Sequence, residues 1–243
     1  MKLFYDFHLH SCLSPCGDDD AFPTVMAGMA KAAGLDAAAL SDHNSSRNCR
    51  AFLKACGVYG LAGLPAMELT SAEEAHILCL LPSPEAADEW EKYVRERQLF
   101  VENRPEIFGR QLVMDENDEV TDTEPRLLIT AASIGVYEVS ALVSSLGGIA
   151  IPAHIDRSAF SLLSNLGAFD ETMGFPVVEL SAAADPARMA ALCPALKGVP
   201  YIVDSDAHRP CDIPDAAHTL EADGPEPEAI IRALREGRGL RRL

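Results

Sequence analysis

The chain has 243 residues, 48% of them hydrophobic and 23% charged, with a formal net charge of −17. That length suits one large domain, or two small ones at most, with an ample core, and the apolar content argues against disorder. No apolar run approaches the roughly 18–20 residues of a membrane span, and the acid excess disfavours long contact with a nucleic-acid backbone.

In chain order, residues 2–8 (KLFYDFH) read as a strand. Residues 22–33 read as a helix, with Pro23 near its start and Gly34 as its stop signal. Residues 35–41 read as a second strand, although its alanines are weak strand formers. A helix over 46–56 follows, then strands over 61–68 and 75–81. Residues 84–100 read as a charged helix with an apolar stripe at Trp90, Val94 and Leu99.

The pattern then changes. QLVMDENDEV (111–120) reads as two short strands around an acidic turn, solvated and with the option of covering a site. Residues 85–124 carry 13 acids against five bases, nearly half of the total excess. We expect an insertion or flap at about 101–130 of a single domain spanning 1–243. Strand–helix alternation resumes with helix 137–146, strand 148–154, a helical stretch near 158–166, strand 176–181 and helix 186–197. Strand 200–206, a short strand near 217–221 and helix 227–236 complete the chain.

Repeated βα units predict an α/β fold with a mainly parallel sheet. A closed or nearly closed βα barrel is the leading architecture, and an open doubly wound sheet the second. No Gly-rich dinucleotide fingerprint or phosphate-binding P-loop follows any strand.

The seven cysteines, Cys12, Cys16, Cys49, Cys56, Cys79, Cys193 and Cys211, form no CxxC pair. The N-terminal MKLFYDFHLH shows no secretory h-region. Free thiols, a cytoplasmic location and no membrane association are therefore expected.

The histidines carry the chemistry. Six of the seven, all but His218, lie at or beside the end of a predicted strand. His8 and His10 close the first strand, and at period 2 they share one face. Asp42 and His43 follow the second strand, and Glu68 closes the third. His154 closes the strand 148–154, and Asp206 and His208 end DSDAH. His76 opens its strand, which fits the same mouth if that strand runs antiparallel. One strand-end histidine is usually structural, but six with acidic companions point to a polynuclear metal site. Imidazole suits Zn, Fe and Ni, and carboxylates bring Mn into range.

FHLHS at 7–11, SDHN at 41–44, MEL at 67–69, AH at 75–76, PAHIDR at 152–157 and DSDAH at 204–208 resemble the ordered motifs of the PHP (polymerase and histidinol phosphatase) family. The resemblance implies a distorted (β/α)7 barrel with two or three divalent metals (Zn, Mn or Fe) at its C-terminal mouth. It implies His8, His10, Glu68 and Asp206 as ligands of a first metal. Glu68 would bridge to a second, held by His76 and His154, and His43 and His208 would serve a third. Where many members place a further third-site histidine, this sequence has Cys16. Two readings stand there: a ligating thiolate, or a buried thiol with Asp18, Asp19, Asp20 or nothing in its place.

The implied activity is hydrolysis of a phosphate ester by a metal-activated water. His208 or His43 would protonate the leaving group, and Asp42 or Asp206 would orient the proton donor. Arg157 is the expected phosphate contact, with Arg209 and Arg47 as weaker candidates. Glu179 either lines the mouth or forms a structural hydrogen bond. The expected substrate is a small phosphorylated molecule, for a phosphatase or phosphodiesterase, without stable nucleic-acid binding. The alternatives are a nuclease or nucleotide-end-processing enzyme, a protein tyrosine phosphatase and a non-catalytic metal-binding domain. Metal-dependent amidohydrolases are the runner-up at the level of fold.

Overall fold

The computed structural model describes residues 1–15 and 17–243. Cys16, one of the candidates for the third site, lies outside the described residues. The chain opens with β1 (Lys2–Leu9), α1 (Pro23–Ala32), β2 (Ala37–Leu40), α2 (Cys49–Tyr59), β3 (Ala62–Thr70), β4 (His76–Leu80) and α3 (Pro84–Arg97). Then come α4 (Pro105–Phe108), β5 (Leu112–Met114), β6 (Val120–Thr123), α5 (Val136–Ser145), β7 (Ile149–Pro152), α6 (Leu162–Leu166) and β8 (Val178–Leu180). The last elements are α7 (Pro186–Leu192), β9 (Pro200–Val203), β10 (Thr219–Glu221), α8 (Pro227–Glu236) and β11 (Arg241–Arg242).

Six strands form one sheet in the order β10-β1-β2-β3-β4-β7, and three form a second in the order β11-β9-β8. A parallel bridge from Leu9 to Ala207 ties the end of β1 to the segment after β9. The result is an α/β fold whose sheet curls as a half-barrel. The all-alanine start of β2 works because its four residues are fully buried, so packing overrides propensity.

Strand direction explains His76. β4 pairs antiparallel with both β3 and β7, with His76 opposite Thr70 and Ile77 opposite Pro152. Its first residue therefore meets the C-terminal ends of its neighbours.

Helix α3 is shorter than its apolar stripe suggests. It starts on Ser83, whose hydroxyl accepts from Ala86 N, and buries Ala87, Trp90 and Val94. It stops at Arg97 because Gln98 turns extended and sends its amide to the carbonyls of Leu128 and Thr130. Arg126 Nη1 caps the end by donating to the carbonyls of Arg95 and Gln98. Leu99, expected in the stripe, is consequently 74% exposed. Likewise, the expected helix over 186–197 breaks at Cys193, one residue before Pro194.

Within the stretch expected to be an insertion, β5 and β6 pair as a hairpin, but it is not a freely solvated one. β5 is buried and β6 exposed. Asn48 fastens β5: its side-chain amide donates to Leu112 O, and its carbonyl accepts from Met114 N. Asn48 is fully buried, so the hairpin docks on α2 rather than hanging free. The six described cysteines are free thiols, and burial pushes Cys12 up to about 12. No helix among the described residues is long and apolar enough to cross a membrane.

Candidate metal centre

Backbone placement comes first. β1 ends by directing His8 and His10 to one face, and both are fully buried. Glu68 enters from β3, beside a parallel bridge to His43. β4 contributes His76 from its start, and the turns after β7 and β9 contribute His154 and Asp206. Those two residues take left-handed backbone, φ 30° and 54°. Such conformations cost roughly 1–3 kcal/mol outside glycine and tend to cluster at functional sites.

Glu68 is the hub. Its Oε1 lies 3.2 Å from His8 Nε2, 3.0 Å from His76 Nδ1 and 3.2 Å from His154 Nε2. Its Oε2 lies 2.9 Å from His43 Nδ1 and 3.4 Å from His10 Nε2. Asp206 Oδ1 is 3.1 Å from His10 Nε2 and 3.4 Å from His8 Nε2. Three groups bring candidate ligand atoms within 4.8 Å of one another: His8, His10, Glu68 and Asp206; His43, Glu68 and His76; and His10, His43 and His208.

The donor atoms also fit metal ions by what they lack. His8 Nε2, His10 Nε2, His43 Nδ1, Glu68 Oε2 and Asp206 Oδ1 are buried with no hydrogen-bond partner among the described residues. Unmade hydrogen bonds on buried polar atoms are costly. A cation among converging imidazoles and carboxylates would satisfy them together.

Side chains behind the ligands fix their orientation. His8 Nδ1 donates to Glu179 Oε2 at 2.9 Å, which aims Nε2 inward. His10 Nδ1 donates to Ser14 Oγ at 2.9 Å, and that hydroxyl donates to Asp42 Oδ1 at 2.7 Å. His208 Nδ1 donates to its neighbour's carbonyl, Asp206 O, at 3.0 Å, leaving Nε2 free. Such partners raise ligand basicity and hold the ring. We predict that Glu179→Gln weakens metal affinity about 10–100-fold while leaving the protein folded. Metal titration of the chelated variant measures this, and unchanged affinity would remove Glu179 from the orienting role.

The charges are mutually set. Burial alone would raise the Glu68 carboxyl, but His76, His8 and His43 hold it well below the usual carboxylate range. Burial likewise opposes ionisation of Asp206, yet His8 and His10 hold it low. Burial disfavours a charged His8, but Glu179, Glu68 and Asp206 raise its imidazole well above the ordinary value. Burial and the neighbouring His208 push His10 well below it.

Two sequence-based roles change here. Asp42, expected to orient a proton donor, sits behind the site: its oxygens accept from Ser11 N, Ser11 Oγ and Ser14 Oγ at 2.7 Å each. It reaches His10 only through Ser14. Arg209 is exposed and does not line the mouth, whereas Arg157 does and pairs with Asp206. Arg47 is held by Asp122 and Glu124 of the insertion. Asp18 and Asp20 are exposed, and Asp19 pairs with Arg110. Ser14 carried no signal in the sequence, being one hydroxyl in a turn. Glu179 showed as an acid in an apolar strand, with a structural hydrogen bond as one of its two expected roles.

Residues 187–238 match the PHP-associated family. In structure, the lesion-specific endonuclease Q from Pyrococcus furiosus superposes with a TM-score of 0.71 at 20% identity, over 100% of this chain and 58% of that one. The resemblance to the PHP family holds. A similar fold also relates the chain to a Bifidobacterium adolescentis protein provisionally assigned as a metal-dependent phosphoesterase. That pair gives a TM-score of 0.61 at 19% identity, over 94% of this chain and 96% of that one. The search of curated proteins finds no match.

A second endonuclease Q structure holds a 27-mer duplex with an abasic lesion at the active site. It matches at 19% identity with a TM-score of 0.71, over 99% of this chain and 58% of that one. The chain thus spans about 58% of the length of the endonuclease Q chains.

That duplex complex overturns the expectation of a small substrate without stable nucleic-acid binding. Net charge was the wrong guide, because salt screens exposed charges beyond about 10 Å. Several acids of the insertion are also already paired: Asp122 and Glu124 with Arg47, Glu124 with Arg95, and Glu116 with Lys54.

Proposed function

We propose that this chain is a metal-dependent phosphoesterase working at the mouth of a distorted (β/α)7 barrel that spans the whole chain. The observation that carries this reading is Glu68, with five imidazole nitrogens within 3.4 Å of its carboxylate. A buried carboxylate so placed suits a bridge between two cations. His8, His10 and Asp206 would hold one with Glu68, His76 and His154 the other, and His43 and His208 a third. When bound, the metals neutralise phosphoryl charge and activate the attacking water.

The chain's own residues do the rest. Glu179, and Ser14 with Asp42, keep His8 and His10 in the ligating tautomer. Asp206 keeps one oxygen toward His8 and His10 while Arg157 takes the other. Arg157 therefore stands beside the ligands with a planar donor fork suited to a phosphoryl oxygen. His208 is partly open at the mouth and would serve in one of two ways: as a ligand when a third cation is held, or, with two cations only, as the group whose Nε2 proton a leaving-group oxygen receives.

The test is a panel of alkyl, aryl and nucleotide phosphomonoesters, a phosphodiester, and duplex DNA with an abasic lesion. Each is assayed with Mn, Zn and Fe, before and after chelation. Metal-dependent hydrolysis of any member supports the reading. No hydrolysis by protein holding two or more ions would favour a non-catalytic metal-binding domain.

A further inference from the structure

The mouth opens into a cavity of about 520 Å³. Its walls are imidazoles, carboxylates, Arg157 and Ser158, with Ala159 and Phe160 as the apolar side chains among the described residues. Phe160 stands out in three ways. It is 44% exposed although it is a large aromatic residue. Its backbone is left-handed, φ 54°, where a bulky side chain is a genuine outlier. Its ring stacks on His76, with centroids 5.0 Å apart and planes 20° from parallel.

The ring is held rather than loose. Phe160 O accepts from His76 N at 2.9 Å. The next residue, Ser161, donates from its hydroxyl to Arg157 O at 2.6 Å. The loop is thus pinned on both sides of the aromatic residue, and the strained conformation keeps the ring at the cavity. His76 covers one part of the ring, and the exposed part lines the space next to Arg157. A core residue would be buried, and a mere packing partner for His76 would not need a strained, open position.

We propose that Phe160 is a stacking platform that selects phosphate esters bearing a planar aromatic ring, such as a nucleobase. This rests on the phosphoesterase reading and adds the substrate class. The phosphoryl group lies toward Arg157 and the ligands, and the flat group of the ester lies on Phe160. A cavity of this size holds a nucleotide-sized ligand. Stacking on an aromatic side chain tolerates any base, because every base has a π face.

Titration calorimetry on metal-loaded protein tests the platform without turnover. The probes are inorganic phosphate, glycerol phosphate, phenyl phosphate and a nucleoside 5′-monophosphate. The nucleotide should bind about tenfold more tightly than glycerol phosphate. Phe160→Ala should erase that preference and leave phosphate affinity unchanged, and Phe160→Tyr should keep it. Equal affinity for phenyl phosphate and nucleotide would define the class as any arene ester, and preference for the nucleotide would narrow it to nucleobases. If Phe160→Ala loses metal, Phe160→Leu, which keeps an apolar contact to His76 but no flat ring, replaces it. Phosphate binding with no ring preference, or equal loss for every probe, overturns the platform alone. No binding of phosphate overturns the phosphoesterase reading and the platform with it.

Discussion

Glu68→Gln is expected to hold fewer than two metal ions per chain and to lose about 10³-fold or more in turnover. Glutamine has the same shape, so packing survives. It has one carbonyl oxygen where the carboxylate has two, and it carries no charge. Its amide group would also place N–H donors among five imidazole nitrogens that need an acceptor or a cation. Metals contribute several kcal/mol of charge stabilisation to phosphoryl transfer, and each 1.36 kcal/mol is about tenfold in rate. Metal analysis and phosphate release on the same preparation measure both losses. Two ions retained with near-normal turnover would remove Glu68 from the bridge.

Chelation should lower Tm by on the order of 5–10 °C per ion removed. An ion present at 100 times its dissociation constant stabilises by about 2.7 kcal/mol, and each kcal/mol is worth about 2–4 °C at this chain length. The gap should widen with pH. His8 has a raised folded pKa, so its stabilising charge is fully present below about pH 6.5 and is lost as pH rises through the raised value. Glu68 and Asp206 have depressed folded pKa values. Their contribution is present above about pH 4–4.5 and is lost as pH falls through the depressed values. Metal-free protein should therefore be most stable in mildly acidic solution and weaken toward alkaline pH. Metal-loaded protein should not weaken there, because ligation needs deprotonated rings. Scanning calorimetry from pH 5 to pH 9 makes the comparison, and parallel Tm curves for the two forms would contradict it.

The convergence of the candidate ligands was legible because it follows simple periodicities. H-x-H on a strand places two rings on one face, and strand ends converge at one mouth. His76 was legible only conditionally, since its place depends on an antiparallel strand that tertiary pairing decides. Ser14 was not legible as a support, and Glu179 only as one of two readings, because its partner His8 lies 171 residues away and is brought to it by the fold. The end of α3 was missed for a related reason: it is stopped by contacts between Gln98 and Leu128 and between Arg126 and Arg95, some 30 residues apart in sequence. Phe160 left no trace in sequence patterning, because its meaning comes from a backbone angle and one open ring face. Charge misled on partners, since a sum over the chain says little about the field at one mouth.

The most direct test of the central claim is a titration of chelated protein with Mn, Zn or Fe, reading phosphate release against bound ions per chain. The account predicts no release without metal and activity that returns only as the second ion binds. Release that is insensitive to chelation, or that saturates with a single ion, would contradict it.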